Sequence, residues 1–125
     1  NKTFLQNEQV HQLFEKQAHI KPDAVAVVYD GKQITYKTLN QKANQLAHYL
    51  IKQGIKPGNF IAIGMERSLD FVIHILGILK AGCAYVPIDP HLPLRRQEYI
   101  LSNSGSLLFL TDTNQQKIDN TRIAG

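Results

Sequence analysis

The sequence predicts an α/β fold, a parallel sheet with helices on both faces. The run FIAIGM at residues 60–65 is apolar on both alternating sets of side chains, as a strand buried on both faces would be. Helical patterns with apolar faces lie before it, at residues 35–53, and after it, at residues 68–81. Short apolar runs at residues 84–88 and 107–111 predict two further strands. Strands separated by helices of this length form right-handed crossovers in a parallel sheet.

The residues before the central strand begin with a predicted helix and hairpin. Residues 9–18 carry apolar side chains at helical spacing, and Pro22 ends any helix that begins there. The run AVAVVYD at residues 24–30 is rich in β-branched side chains. It is followed by Gly31, in an Asp-Gly pair, and then by ITY at residues 34–36. This order predicts a β-hairpin with a tight turn.

The two long helices carry start and stop signals at both ends. Thr35 is the predicted N-cap of the first helix, and Gly54 follows its last turn. Ser68 is the predicted N-cap of the second, and Gly82 follows its end. The second helix is apolar nearly all round, so we expect it to be covered on more than one side. Pro93 suits the first turn of a later helix, where its missing N–H costs nothing.

The run LKAGCAYVPIDPHLPLRR at residues 79–96 combines a helix end, a short strand and a proline-rich corner. Pro87 and Pro90 remove backbone donors, so the strand must end there. Asp89 and Arg96 follow the carboxyl end of that strand, where α/β folds bind ligands, and are therefore candidate site residues. We favour a structural ion pair or cap for both, because turn residues more often serve the backbone.

Glu66 and Arg67 follow the buried strand directly and are the best candidates by position alone. The alternative is that they anchor a neighbouring segment. His74 lies within the most apolar helix, where we expect a hydrogen-bonded core histidine instead of a base or metal ligand. The remaining histidines lie on separate elements without metal-binding spacing: His11, His19, His48 and His91.

Two segments look superficially like phosphate-binding loops. They are Gly31-Lys32 and SNSGS at residues 102–106, and neither has the GxxxxGK[ST] spacing that lets successive N–H groups surround a phosphate. We interpret the first as a hairpin turn and the second as a helix end with Gly105 as its cap.

Composition restricts the class of protein. The 125 residues fit one domain, and 43% hydrophobic residues are enough to form a core. The net charge of +4 comes from scattered basic residues, which does not predict nucleic-acid binding. Cys83 is the single cysteine, which excludes an intramolecular disulfide and fits a reducing cytoplasm. No segment predicts a membrane span or signal peptide, and the polar residues 112–121 predict a surface connection.

Two stretches together resemble the first two core motifs of adenylation domains of nonribosomal peptide synthetases. They are ITYKTLNQKANQLAHYL at residues 34–50 and the run at residues 79–96. These domains belong to the superfamily that includes acyl-CoA synthetases and luciferases. Residues 11–28 resemble the family's first helix and strand, and residues 100–112 its continuation, so the resemblance covers nearly the whole chain. AYVPIDP, with LKAG before it and Arg96 after it, favours the peptide-synthetase branch.

Three positions depart from the family pattern. Thr38 stands where Glu is usual, which removes the reciprocal capping box with Thr35. Cys83 stands where Gly is usual, and Asn103 replaces a common Asp. None of the three is a position that the family uses for chemistry.

The resemblance implies activation of an amino acid by ATP with magnesium, then transfer to the phosphopantetheine thiol of a carrier domain. The expected partners are the rest of the adenylation domain and the condensation and carrier domains of a bacterial cytoplasmic synthetase. The family's phosphate loop, amino-acid pocket, ribose-binding aspartate and catalytic lysine are expected beyond Gly125. We therefore assign residues 1–125 to a first subdomain and expect no catalytic, cofactor-binding or metal-binding residue within it.

Two other functions stay open at this point. One is a free-standing, non-catalytic α/β module for binding or assembly, and the other is activation of acyl or aryl acids. If the chain is part of a larger domain, it should expose apolar surface that its neighbours normally cover. We therefore expect the isolated chain to have a tendency to self-associate.

Overall fold

The computed structural model describes residues 7–111, with side chains from residue 12 onward. The polar segment at residues 112–121, the first six residues and the His11 side chain lie outside this description. In chain order the elements are α1 (Asn7–Ile20), β1 (Val25–Tyr29), β2 (Lys32–Thr35), α2 (Tyr36–Lys52), β3 (Phe60–Gly64), α3 (Leu69–Lys80), β4 (Ala84–Pro87), α4 (Leu94–Ser104) and β5 (Ser106–Thr111).

Within residues 7–111, the main sheet has three parallel strands in the order β4-β3-β5. The central strand is β3, as its two-sided apolar pattern predicts. Ile61 pairs with Tyr85 of β4 and with Leu108 of β5, and Ile61, Ala62 and Ile63 are each no more than 1% exposed. The prediction of a buried central strand is therefore confirmed.

Helices cover both faces of this sheet. On one face, Leu50 of α2 and Ile78 of α3 pack in one cluster with Ile61 and with Leu108 and Leu110 of β5. On the other face, α4 contributes a second cluster made of Ala62, Ile88, Leu101 and Phe109. This arrangement confirms the predicted fold class, a parallel sheet between helical layers.

The hairpin formed by β1 and β2 is a separate antiparallel sheet of two strands. Asp30 and Gly31, at its turn, have φ angles of 53° and 77°, as a type I′ turn requires. The buried Ile34 packs in a third cluster with Leu39 of α2 and Leu76 of α3. The hairpin thus covers the side of α3 that does not face the sheet, as the all-round apolar character of α3 predicts.

The predicted helix ends are confirmed, with one small correction. Thr35 Oγ1 accepts a hydrogen bond from the Thr38 N–H at 3.2 Å, and Ser68 Oγ accepts one from the Phe71 N–H at 3.1 Å. Pro93, predicted in the first turn of α4, is its N-cap, and the helix begins at the next residue. The correction follows from its extended backbone, with ψ at 148°, because a helical first-turn residue would need a negative ψ.

An ion pair holds α1 against the end of α3. Lys80 Nζ contacts Glu15 Oε2, and the Lys80 side chain is only 3% exposed. The rings of Phe14 in α1 and Tyr36 in α2 add a tilted aromatic contact, with centroids 5.4 Å apart. These two contacts join α1 to two different helices, and Phe14 also packs against the apolar cluster that contains Leu39 and Leu76.

Cys83 is completely buried at the junction between α3 and β4. Its Sγ donates to the backbone oxygen of Lys56 at 3.5 Å. Burial raises the pKa of this thiol above its ordinary value of 9.0, and a hydrogen bond from the Asn59 backbone lowers it by a smaller amount. The folded chain therefore holds Cys83 as a neutral thiol, a poor nucleophile.

This raised pKa predicts a specific loss of stability in alkaline solution. Above pH 9 the unfolded chain loses the thiol proton while the folded chain retains it. The free energy of unfolding should therefore fall as the pH rises toward the folded pKa. Urea unfolding of the wild type and of Cys83→Ala, compared between pH 8 and pH 10.5, should show the steeper fall in the wild type. Parallel curves for the two proteins would contradict this prediction.

Candidate functional site

A cleft of about 470 Å³ lies at the carboxyl ends of β3 and β4. Both strands end at the same edge because they are parallel, and this is the edge where open α/β sheets bind ligands. The cleft has an apolar floor and walls, made of Tyr29, Ile63, Met65, Phe71, Pro87, Ile88 and Pro90. Four polar side chains surround its opening: Glu66, Arg67, Asp89 and His91.

Glu66 and His91 connect the two loops that border the cleft. Glu66 follows β3 and His91 follows β4, and Glu66 Oε2 lies 2.6 Å from His91 Nε2. Both side chains are largely exposed, 58% for Glu66 and 73% for His91. An exposed pair of this kind stabilises a fold by about 1 kcal/mol or less. It therefore orients the two loops and contributes little to stability.

The loop after β4 is organised by Asp89 and Gln97. Asp89 Oδ1 accepts a hydrogen bond from the His91 N–H at 2.9 Å. Gln97 Nε2 donates to the backbone oxygens of Pro90, at 3.2 Å, and Leu92, at 2.9 Å. The predicted local role of Asp89 is confirmed, since it caps the backbone of its own turn.

The role of Gln97 is missing from the sequence-based prediction. The signal for it was present: a proline-rich corner leaves carbonyl groups that need donors, and an amide side chain in the next helix can supply them. Recognising it required knowing that α4 turns back beside the loop, which is a tertiary feature.

An ion pair between Asp89 and Arg96 is absent among the described side chains, so that part of the prediction was wrong. The Arg96 guanidinium lies over the ring of Tyr99, 5.7 Å from its centroid, on the exposed surface of α4. The reason is geometric. The hydrogen bond to the His91 N–H keeps the Asp89 carboxylate in the turn after β4, whereas Arg96 lies on the surface of α4. Of the two candidates, only Asp89 borders the cleft.

Arg67 supplies the one guanidinium at the cleft opening, 5.9 Å from the centroid of the Phe71 ring. Across residues 12–111 it has no carboxylate partner within ion-pair distance. The carboxylates of Glu66 and Asp89 lie at the same opening, so two negative charges face one guanidinium and the opening has no excess positive charge from Arg67. A triphosphate needs several converging donors and cations, and this cleft does not offer them.

The other predicted candidates have structural roles. His74 is 5% exposed, and its Nδ1 donates to the backbone oxygen of Asp70 at 2.8 Å, which confirms a hydrogen-bonded core histidine. Gly31 lies in the hairpin turn, and Gly105 caps α4 with a φ of 73°. Within the described part of the chain, no group of three His, Cys, Asp or Glu side chains is placed to hold a metal ion.

Comparison with known proteins decides which family has this architecture. The family model described as "AMP-binding enzyme" matches residues 14–124. The chain belongs to this family. The match includes the cleft and all three strands of the main sheet, and it confirms the family resemblance found in the sequence motifs.

Curated synthases are similar to the chain over most of its length. Bacitracin synthase 3 of Bacillus licheniformis is 48% identical over 109 residues, which is 87% of this chain and 2% of that protein. The chain therefore spans only a small part of the curated relative.

No described helix has the length and apolar character that would let it cross a membrane.

Solved structures of peptide synthetases are also similar to the chain over most of its length. A nonribosomal peptide synthetase with alpha-methyl-L-serine-AMP bound superposes with a TM-score of 0.80 at 34% identity, over 84% of this chain and 12% of that one. The N-terminal subdomain of Klebsiella oxytoca NpsA, in complex with anthranilyl-AMSN, superposes with a TM-score of 0.75 at 31% identity. In that pair the match covers 82% of this chain and 27% of the subdomain.

Proposed function

We propose that this AMP-binding family chain is the first part of the N-terminal subdomain of an adenylation domain in a nonribosomal peptide synthetase. The observation that carries the proposal is the superposition of its sheet and helices on such a subdomain, together with the family match. In the complete synthetase, the domain would activate an amino acid with ATP. A structure similar to this chain holds an aminoacyl-AMP, which supports an amino acid as substrate.

The proposed reaction has two steps. The amino-acid carboxylate attacks the α-phosphorus of ATP, and pyrophosphate leaves with the electron pair of the broken P–O bond. A carrier domain's phosphopantetheine would supply the thiol that accepts the acyl group, with loss of the thiol proton, cleavage of the acyl C–O bond and release of AMP. Magnesium would neutralise phosphate charge in the first step. The condensation and carrier domains would be partners within the same bacterial cytoplasmic synthetase.

The residues of this chain would act in this reaction as a scaffold. The buried β3 and its covering helices would fix the position of the loop of Glu66 and Arg67 relative to the loop of residues 88–92. Neither loop supplies the set of donors that a transferring phosphoryl group requires. Catalytic groups would accordingly come from the remainder of the adenylation domain.

The direct test is pyrophosphate exchange by the complete synthetase. Purified enzyme is given radiolabelled pyrophosphate, magnesium-ATP and one acid at a time from a panel of amino acids, aryl acids and fatty acids. We expect exchange to rise above background with one amino acid or a few related ones. Exchange only with an aryl or fatty acid would overturn the amino-acid assignment, and exchange with no acid would overturn the enzyme assignment.

The isolated 125-residue chain should not bind ATP with micromolar affinity. Such affinity requires about 8 kcal/mol of binding free energy. Arg67 is the guanidinium at the cleft opening, and one exposed charge contributes about 1 kcal/mol or less. Calorimetric titration with magnesium-ATP, with and without amino acids, should show no saturable micromolar binding, and pyrophosphate exchange should stay at background.

The cleft provides a test of the second candidate function, a free-standing, non-catalytic binding module. The cleft volume of about 470 Å³ lies within the range of small-molecule sites, which suits a free-standing binding module. Micromolar binding of a ligand by the isolated chain, abolished in Arg67→Ala and retained in Arg96→Ala, would favour that module. Arg96 is a matched control because it also lies beside an aromatic ring but does not border the cleft.

A further inference from the structure

We propose that α1 opens away from the rest of the fold as a unit, and that the ion pair between Glu15 and Lys80 controls this opening. The inference rests on contacts within the chain and does not depend on the proposed function. The evidence is the small buried surface of α1, the hydrogen bonds that fix the segment after it, and the unequal burial of the two charges.

Little of α1 is buried. Among its side chains from residue 12 onward, Ala18 is buried and Phe14 is half-buried, whereas the rest are exposed. Phe14 packs against the cluster that contains Leu39 and Leu76. The two clusters that join helices to the main sheet contain none of these α1 side chains. The main sheet and its helices would therefore keep their packing if α1 moved away.

The segment after α1 is fixed to the start of α2. The Lys37 N–H donates to the Pro22 backbone oxygen at 2.9 Å, and the Tyr36 N–H donates to that of Ala24 at 3.0 Å. These hydrogen bonds keep residues 22–24 in place, so the part that moves is α1 itself. A helix of 14 residues without tertiary contacts is only marginally stable in water, so α1 should lose its backbone hydrogen bonds when it opens.

The two charges of the ion pair are buried to different extents. The Lys80 side chain is 3% exposed, whereas the Glu15 side chain is 46% exposed. Within residues 12–111, Glu15 is the one carboxylate within ion-pair distance of Lys80 Nζ. A buried ammonium without a counter-charge is costly, and water would hydrate it once α1 opened. Lys80 therefore favours the open state unless Glu15 neutralises it.

This asymmetry predicts different effects of neutralising the two residues. Glu15→Gln leaves the ammonium buried without a carboxylate, so the open state of α1 should be populated about thirtyfold more. Lys80→Met places an apolar group in the buried site and leaves Glu15 in contact with water, so the population should change by less than about threefold. Glu15→Gln should then add almost nothing to Lys80→Met, because the coupled partner is already absent.

Amide hydrogen exchange of residues 13–20 measures this opening, by NMR on the isolated chain and by mass spectrometry with single-residue fragmentation on the complete synthetase. These amides should exchange about thirtyfold faster in Glu15→Gln than in the wild type, and near the wild-type rate in Lys80→Met and the double variant. The amides of β3, which has a strand on each side, are the control and should exchange equally slowly in all four proteins.

The reactivity of the Lys80 amine provides a second measurement. Acylation by an N-hydroxysuccinimide ester requires an accessible amine, and Lys80 is buried while α1 is docked. Its acylation, located by mass spectrometry, should be about thirtyfold faster in Glu15→Gln than in the wild type. The exposed Lys16, also on α1, is the matched control and should react at the same rate in both proteins.

Each outcome decides the proposal. Unchanged α1 exchange in Glu15→Gln would overturn it. An equal increase in the exchange of β3 would also overturn it, because α1 would then open only when the whole chain unfolds. An effect of Glu15→Gln that persists beside Lys80→Met would assign the effect to another contact of Glu15, with the same consequence. Faster exchange of α1 alone, cancelled by Lys80→Met, would support the proposal even in a synthetase that shows no pyrophosphate exchange.

Discussion

Gly77→Val should lower the free energy of unfolding by about 3 kcal/mol, near the upper end of the range for overpacked cores. Gly77 lies on α3 where that helix crosses α2, and a Cβ atom placed on it would lie 2.7 Å from Leu46 Cδ2 and 2.8 Å from Leu46 Cβ. Contacts this short force the helices apart, because the Leu46 Cβ is fixed to the α2 backbone. Urea unfolding followed by circular dichroism at 222 nm measures the loss.

Leu46→Ala provides the control for the Gly77 prediction. Alone it should be destabilising, since it removes a partly buried side chain. Combined with Gly77→Val it should be less destabilising than the sum of the two changes, because it removes the Leu46 atoms nearest the new valine other than Cβ. Simple additivity would show that the Leu46 atoms beyond Cβ do not cause the loss, and a Gly77→Val protein as stable as the wild type would show that the two helices separate at no cost.

Ile78→Ala should also lower the free energy of unfolding by about 3 kcal/mol. Here the cause is a cavity left in the core, whereas in Gly77→Val it is a steric clash. Ile78 is completely buried between α2 and the sheet, where it shares a cluster with Leu50 and Ile61. The neighbouring side chains cannot all collapse into the cavity, because β3 is held by strands on both sides. The measurement is again urea unfolding, with the slope of the transition compared to verify that the unfolded state is unchanged.

Ile51→Ala is the matched control for this second prediction. It makes the same chemical change on α2, at a side chain that is 54% exposed. Its effect should be within about 0.5 kcal/mol of zero, as for most surface substitutions. Equal losses at positions 51 and 78 would contradict the prediction, because helix propensity favours alanine over isoleucine and the exposed Ile51 side chain has little packing to lose.

The candidate cleft shows how far position along the chain predicts a site. Glu66, Arg67 and Asp89 were placed correctly at the carboxyl edge of the sheet, because every parallel strand ends at that edge. Their partners were not predicted. His91 with Glu66 and Gln97 with the carbonyl groups of residues 90 and 92 depend on how two loops and a helix approach one another.

The sequence by itself determined the features that depend on neighbouring residues. The caps at Thr35 and Ser68 and the Asp-Gly turn of the hairpin depend on local hydrogen bonds and backbone preferences, and all were predicted from a few letters. The burial of β3 on both faces was also predicted from the sequence, because its apolar residues leave no polar face.

Only the tertiary structure decided the attachment of α1 by Lys80 and Glu15 and the close crossing of α2 and α3 at Gly77. The physical reason is distance along the chain. Glu15 and Lys80 are 65 residues apart, and such contacts arise from packing of whole elements, which no local preference encodes.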